Sequence, residues 1–62
     1  MYRVFADGKY IGDYEKFPWQ GGKNYYLYWP ETHHWSLRTS TNWYGVKPEK
    51  VPKEYRALNL LL

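Results

Sequence analysis

There is no cysteine in this chain, which excludes disulfide bonds and every thiolate metal site. Aliphatic residues are scarce too. Leu, Ile, Val and Phe together number 12 of 62 residues, near the level that marks a disordered chain when net charge is high. The charge is only +3, with nine Lys and Arg against six Asp and Glu, so self-repulsion does not oppose folding and no polybasic tail is present. Long apolar runs are also missing. "MYRVFADGK" has no signal-peptide core and "LNLLL" is too short to span a bilayer, so a soluble cytoplasmic protein with no membrane contact is expected. No internal repeat, HExxH run or nucleophile elbow occurs.

What the chain has instead is rings. Eight Tyr and four Trp supply apolar area that the aliphatic residues do not, each ring burying ~150–250 Å². Sixty-two residues make one small domain, 1–62, that buries only about 60% of its unfolded surface. Without disulfides or a metal, association is the remaining support, and a homodimer through an aromatic face or the C-terminal leucines is one form of it.

"YRVFADGKYIGDY" reads as a hairpin around Asp7-Gly8, a turn in which both central residues take positive φ. A two-residue loop puts Phe5 opposite Tyr10 and Val4 opposite Ile11. One face then carries Tyr2, Val4, Ala6 and Ile11, and the other Met1, Arg3, Phe5, Tyr10 and Tyr14. A bulged turn would shift this pairing by one. "EKFPWQGGKN" follows as a loop, with Phe17 and Trp19 plugging the end of the core. Its Gly21-Gly22-Lys23 lacks the Gly-Lys-Ser/Thr closure of a phosphate loop.

"NYYLYWPETHHWSLRTS" reads as a second hairpin. A loop of residues 30–34 pairs Trp29 with Trp35, Leu27 with Leu37 and Tyr25 with Thr39 as a core face. Tyr26, Tyr28, Ser36, Arg38 and Ser40 are left on the other face. Gly45 is taken as the end of the sheet. Beyond it, Pro48 and Pro52 forbid a central strand, while Val51, Tyr55, Leu58 and Leu62 form a helical stripe. This predicts a helix over 53–61, with a strand over 55–61 as the alternative. A tail so rich in Leu is expected to dock on its own sheet or on a second copy. The fold class is α+β, mostly β: two antiparallel hairpins in a small twisted sheet, with a short C-terminal helix packed on one face.

Little here suggests catalysis. The six carboxylates form no paired signature, so no enzyme, catalytic residue or cofactor is expected. His33-His34 with Glu31 offers two or three metal-ligating groups, but a third or fourth convergent ligand would have to come from Asp13 or Glu15. No metal is expected, and the histidines read as an exposed loop.

"YYLYWPETHHW" resembles the second hairpin of WW domains over about eleven residues. Trp19 lies too close to Tyr25-Tyr26 for the first strand and turn of that family, so no membership follows.

The residues expected to bind a partner are Tyr26, Tyr28, Arg38, Ser36, Arg3 and Tyr10. Tyr and Arg anchor protein interfaces, so a protein partner is the leading reading, including inhibition or modulation of a larger enzyme. The alternative is single-stranded nucleic acid, with bases stacked on rings and a phosphate-tracking edge of Lys47, Lys50, Lys53 and Arg56, which recur every third residue. No Gly-Phe-Gly-Phe run of the RRM kind supports it. A carbohydrate or small aromatic ligand stacked on Trp is a third reading.

Overall fold

In the computed structural model, which describes residues 1–39 and 41–62, the chain forms one five-stranded antiparallel sheet and a C-terminal helix. The strands are β1 (Tyr2–Ala6), β2 (Lys9–Tyr14), β3 (Asn24–Trp29), β4 (His34–Thr39) and β5 (Asn42–Val46), in the order β2-β1-β3-β4-β5. A single 3-10 turn, Pro48–Lys50, leads to α1 (Lys53–Leu60). This is the expected α+β class with one strand more than two hairpins supply. Gly45 does not end the sheet but lies inside β5, opposite Ser36.

Because strand side chains alternate, a five-stranded sheet with rings on both faces has two cores to build. On one face Tyr2, Val4, Ala6, Tyr25 and Leu27 are buried, with Ile11, Tyr14, Phe17 and Trp29 packed around them. On the other Phe5, Trp35, Val51 and Tyr55 are buried, flanked by Tyr10, Tyr26, Tyr28, Val46 and Leu58. Phe5 and Tyr25 are wholly enclosed, and burial of a side chain of this kind is worth ~1.5–3 kcal/mol.

α1 covers the second face. Tyr55 enters it with its ring 5.7 Å from Phe5 and 5.3 Å from Tyr26, while its hydroxyl accepts a 2.9 Å hydrogen bond from the Gly8 N–H. Pro52 stands just before the helix, where its carbonyl accepts from Tyr55 and Arg56 N–H at 3.1 and 3.3 Å. The strand alternative for 55–61 is thereby set aside. Of the C-terminal leucines only Leu58 packs on the sheet, so the expected docking of the whole tail on its own chain does not occur: Leu60 and Leu61 are 85% and 83% exposed.

The first hairpin turns at Asp7 and Gly8 with φ 54° and 76°, and Phe5 faces Tyr10 as expected. The pairing then shifts. A bulge puts Val4 opposite Gly12 instead of Ile11, and Tyr2 opposite Tyr14. Gly12 takes φ 137°, and a Cβ there would sit 3.1 Å from the Tyr14 ring. Tyr14 consequently joins the Tyr2 and Val4 face instead of the Arg3 and Phe5 face, with its hydroxyl donating to the Ile11 carbonyl at 3.2 Å.

The second hairpin corrects the sequence reading more deeply. Its loop is residues 30–33, one shorter than expected, closed by His33 at φ 57° with its N–H donating to the Trp29 carbonyl at 2.8 Å. Trp29 therefore pairs with His34, Tyr28 with Trp35 and Tyr25 with Arg38. A slip of one residue sends every β4 side chain to the opposite face. Trp35 and Leu37 join Tyr26 and Tyr28 on the helix side, and Ser36 and Arg38 move to the other. Ser40 lies outside the described residues.

Candidate binding site

The register places Arg38, near the end of β4 and beside the edge strand β5, on the face that α1 leaves uncovered. β3 contributes Tyr25 and Trp29, β4 Arg38, β5 Trp43 and β1 Tyr2, while the β2–β3 connection folds Phe17 and Trp19 over the sheet. Phe17 meets Tyr25 edge-on at 5.0 Å and 88°. Ring-to-ring separations of 5.3 Å (Tyr2–Trp29), 5.6 Å (Trp29–Trp43), 5.9 Å (Trp43–Phe17) and 5.9 Å (Phe17–Trp19) make one continuous band.

Arg38 is held inside this band. Its guanidinium carbon lies 3.7 Å from the Phe17 ring centre and 4.7 Å from that of Trp43, a cation–π clamp worth ~0.5–2 kcal/mol depending on how dry it is. The Arg38 Nε is shielded from solvent and has no partner among the described residues, and the same holds for the Tyr2 hydroxyl. Burial pushes the Tyr2 phenol above its ordinary pKa, and the positive charge of Arg38 pulls it partly back. The ion pairs among the described residues are Lys23 with Asp7 at 2.8 Å and the N-terminal amine with Glu31 at 3.8 Å, so Arg38 has no carboxylate partner there. Trp19 and Trp43 remain 47% and 45% exposed at the margins of the band.

The residues expected to bind a partner are thus divided between two faces. Arg38 and Ser36 lie on the uncovered face. Tyr26 is half-buried against Tyr55 beneath α1. Tyr10 packs on Phe5 at 5.5 Å and donates to Asp13 Oδ1 at 2.7 Å; burial, then this hydrogen bond, push its pKa up to about 12. Tyr28 packs on Trp35 at 5.0 Å, with the Arg3 guanidinium 5.6 Å from its ring centre. The grouping of Tyr26, Tyr28 and Arg38 on one open face is therefore corrected, and the shorter loop is the cause.

Of the four basic residues proposed as an edge, Lys47, Lys50 and Lys53 are exposed along the 3-10 turn and the start of α1. Arg56 instead lines a cleft beside Tyr28 and Trp35. His33 is bonded to the Tyr28 hydroxyl at 2.8 Å, and His34 pairs with Trp29 across the strands. Among the described residues no three metal-ligating side chains converge, and no helix is long and apolar enough to cross a membrane.

Sequence reasoning gave Trp29 to the core, Phe17 and Trp19 to a plug, and Trp43 to no role. Trp29 and Phe17 do pack on the core; the sign that Trp19 and Trp43 stay at the surface was the excess of ring area over what so short a chain encloses. No family model, curated protein or solved structure matches the chain.

Proposed function

We propose that the chain is a non-catalytic binding module that recognises a protein partner through the uncovered sheet face. Trp19 and Trp43 are the apolar anchors, and Arg38 is the polar centre that receives a carboxylate of the partner. The observation that carries this reading is the clamp on Arg38: a guanidinium held against two rings, without a carboxylate among the described residues, in a face that α1 leaves open and the β2–β3 connection covers only in part with Phe17 and Trp19. Trp and Arg in a rigid, partly dry surface are what interface hot spots are made of, and a clamped guanidinium loses little entropy when a carboxylate arrives. Docked on an enzyme, such a face would inhibit or modulate it by covering its surface.

The test begins with the mass of the native species, because a dimer that dissociates on Trp43→Ala would make a second copy the occupant. With a monomer in hand, a partner captured on the wild-type chain is identified, purified and titrated against Trp43→Ala and Arg38→Ala. Each change is expected to weaken binding by ~2 kcal/mol or more, about 30-fold, while circular dichroism stays native. Unchanged affinity in both variants refutes the assignment of this face. Binding of single-stranded DNA with steep salt dependence, in place of any protein, would replace the reading with the nucleic-acid alternative.

A further inference from the structure

On the helix-covered side, the end of the sheet and α1 leave a cleft of about 340 Å³ lined by Tyr28, His33, Trp35, Arg56, Asn59 and Leu60. Its apolar walls are the paired rings of Tyr28 and Trp35, 5.0 Å apart, and Leu60. Two of its polar groups, Arg56 and Asn59, offer donors.

Arg56 has a shielded Nε without a partner among the described residues, and neither ion pair there involves it. Arg3, reaching behind Tyr28, donates to Asn59 Oδ1 at 2.7 Å, which occupies the acceptor end of that amide and leaves its NH₂ to donate. The Tyr28 hydroxyl and His33 Nδ1 share a hydrogen bond at 2.8 Å, so both groups are engaged with each other. No carboxylate lines the cleft. Asp13, across the strands from Arg3, is taken by the Tyr10 hydroxyl, and Glu31 in the hairpin loop lies against the N-terminal amine.

We propose that this cleft binds a small ligand that joins one flat ring to a phosphate or carboxylate group, with the ring against Tyr28 and Trp35 and the anion on Arg56 and Asn59. Its volume is at the low end of ligand pockets, which run ~300–1,000 Å³, and so suits a single ring bearing one acid group. The site lies on the opposite side of the sheet from Arg38 and does not depend on the function proposed for that face.

The probes are phenyl phosphate and benzoate, which carry ring and anion, and inorganic phosphate and benzyl alcohol, which carry one each. Titrated into the whole ¹⁵N-labelled chain, phenyl phosphate or benzoate is expected to shift the Trp35 indole N–H and the Arg56 Nε–H, and the tighter of the two names the anion. Each single-feature probe should bind about tenfold more weakly or worse. Arg56→Gln should weaken the tighter probe by about tenfold or more, the worth of a charge-assisted hydrogen bond. Lys9→Gln, removing the same charge on an exposed strand residue, should change it less than about twofold.

The proposal is overturned if neither two-feature probe shifts these signals at millimolar concentration, if benzyl alcohol or phosphate alone binds as well, or if Lys9→Gln weakens binding as much as Arg56→Gln. The probe series on the unmodified chain decides the matter even if Arg56→Gln fails to fold.

Discussion

Replacing Trp35 by Ala and, separately, Trp43 by Ala tests the register on which both proposed sites rest. Trp35 is 6% exposed, with Phe5 at 5.4 Å and Tyr28 at 5.0 Å. Losing its burial costs ~1.5–3 kcal/mol, and losing two ring pairs ~0.5–1.5 kcal/mol each, so a total of ~3–5 kcal/mol is expected, the usual range for a buried Trp. A chain of this length has roughly 3–9 kcal/mol in all, at ~0.05–0.15 kcal/mol per residue. Trp35→Ala should therefore be largely unfolded or lose ~12–40 °C in Tm. Trp35→Phe, which keeps one ring, provides a measurable intermediate. Trp43, nearly half exposed on the outermost strand, should cost only about 1 kcal/mol, mostly from its part in the Arg38 clamp. Urea denaturation followed by far-UV circular dichroism reads all three, with an unchanged m-value showing that stability alone has moved. Equal losses for Trp35→Ala and Trp43→Ala would refute the register, because the two Trp would then be equivalent in burial.

Gly12→Ala is expected to destabilise by ~1–3 kcal/mol in the same assay, since Gly12 has φ 137° and a Cβ would meet the Tyr14 ring at 3.1 Å; a neutral result would mean that the bulge is absent. At alkaline pH, Tyr10 makes stability fall. Its pKa, about 12 in the folded chain against 10.0 ordinarily, gives a contribution that is complete below pH 10 and lost as pH rises through 12. Tyr10→Phe should flatten that decline, and identical pH profiles for the two proteins would contradict the assignment.

Local features were legible in the sequence because they depend on local chemistry. Asp7-Gly8 specifies its turn through positive φ at both positions, and the stripe of Val51, Tyr55, Leu58 and Leu62 around Pro52 predicted a helix ending one residue beyond the observed Leu60, although Leu62 itself lies past the helix and half exposed. The two proposed binding surfaces were not legible. Every register of β3 against β4 puts rings on both faces, so the hydrophobic pattern does not choose between a loop of 30–34 and one of 30–33. His33 in the left-handed region makes that choice. The shift carried Arg38 away from Tyr26 and Tyr28 and into the company of Phe17 and Trp43, which are 21 and five positions distant along the chain. Arg56 likewise left its run of lysines for a cleft shared with β3 and β4, a contact between residues remote in sequence.

By itself, the sequence determined that this protein is a ring-packed antiparallel sheet closed by a helix, because turn chemistry, proline geometry and residue periodicity act over a few positions. Tertiary structure alone decided which rings are core and which are surface. A strand's side chains change face with each single-residue step, and only the closing of the loop against the neighbouring strand sets that step.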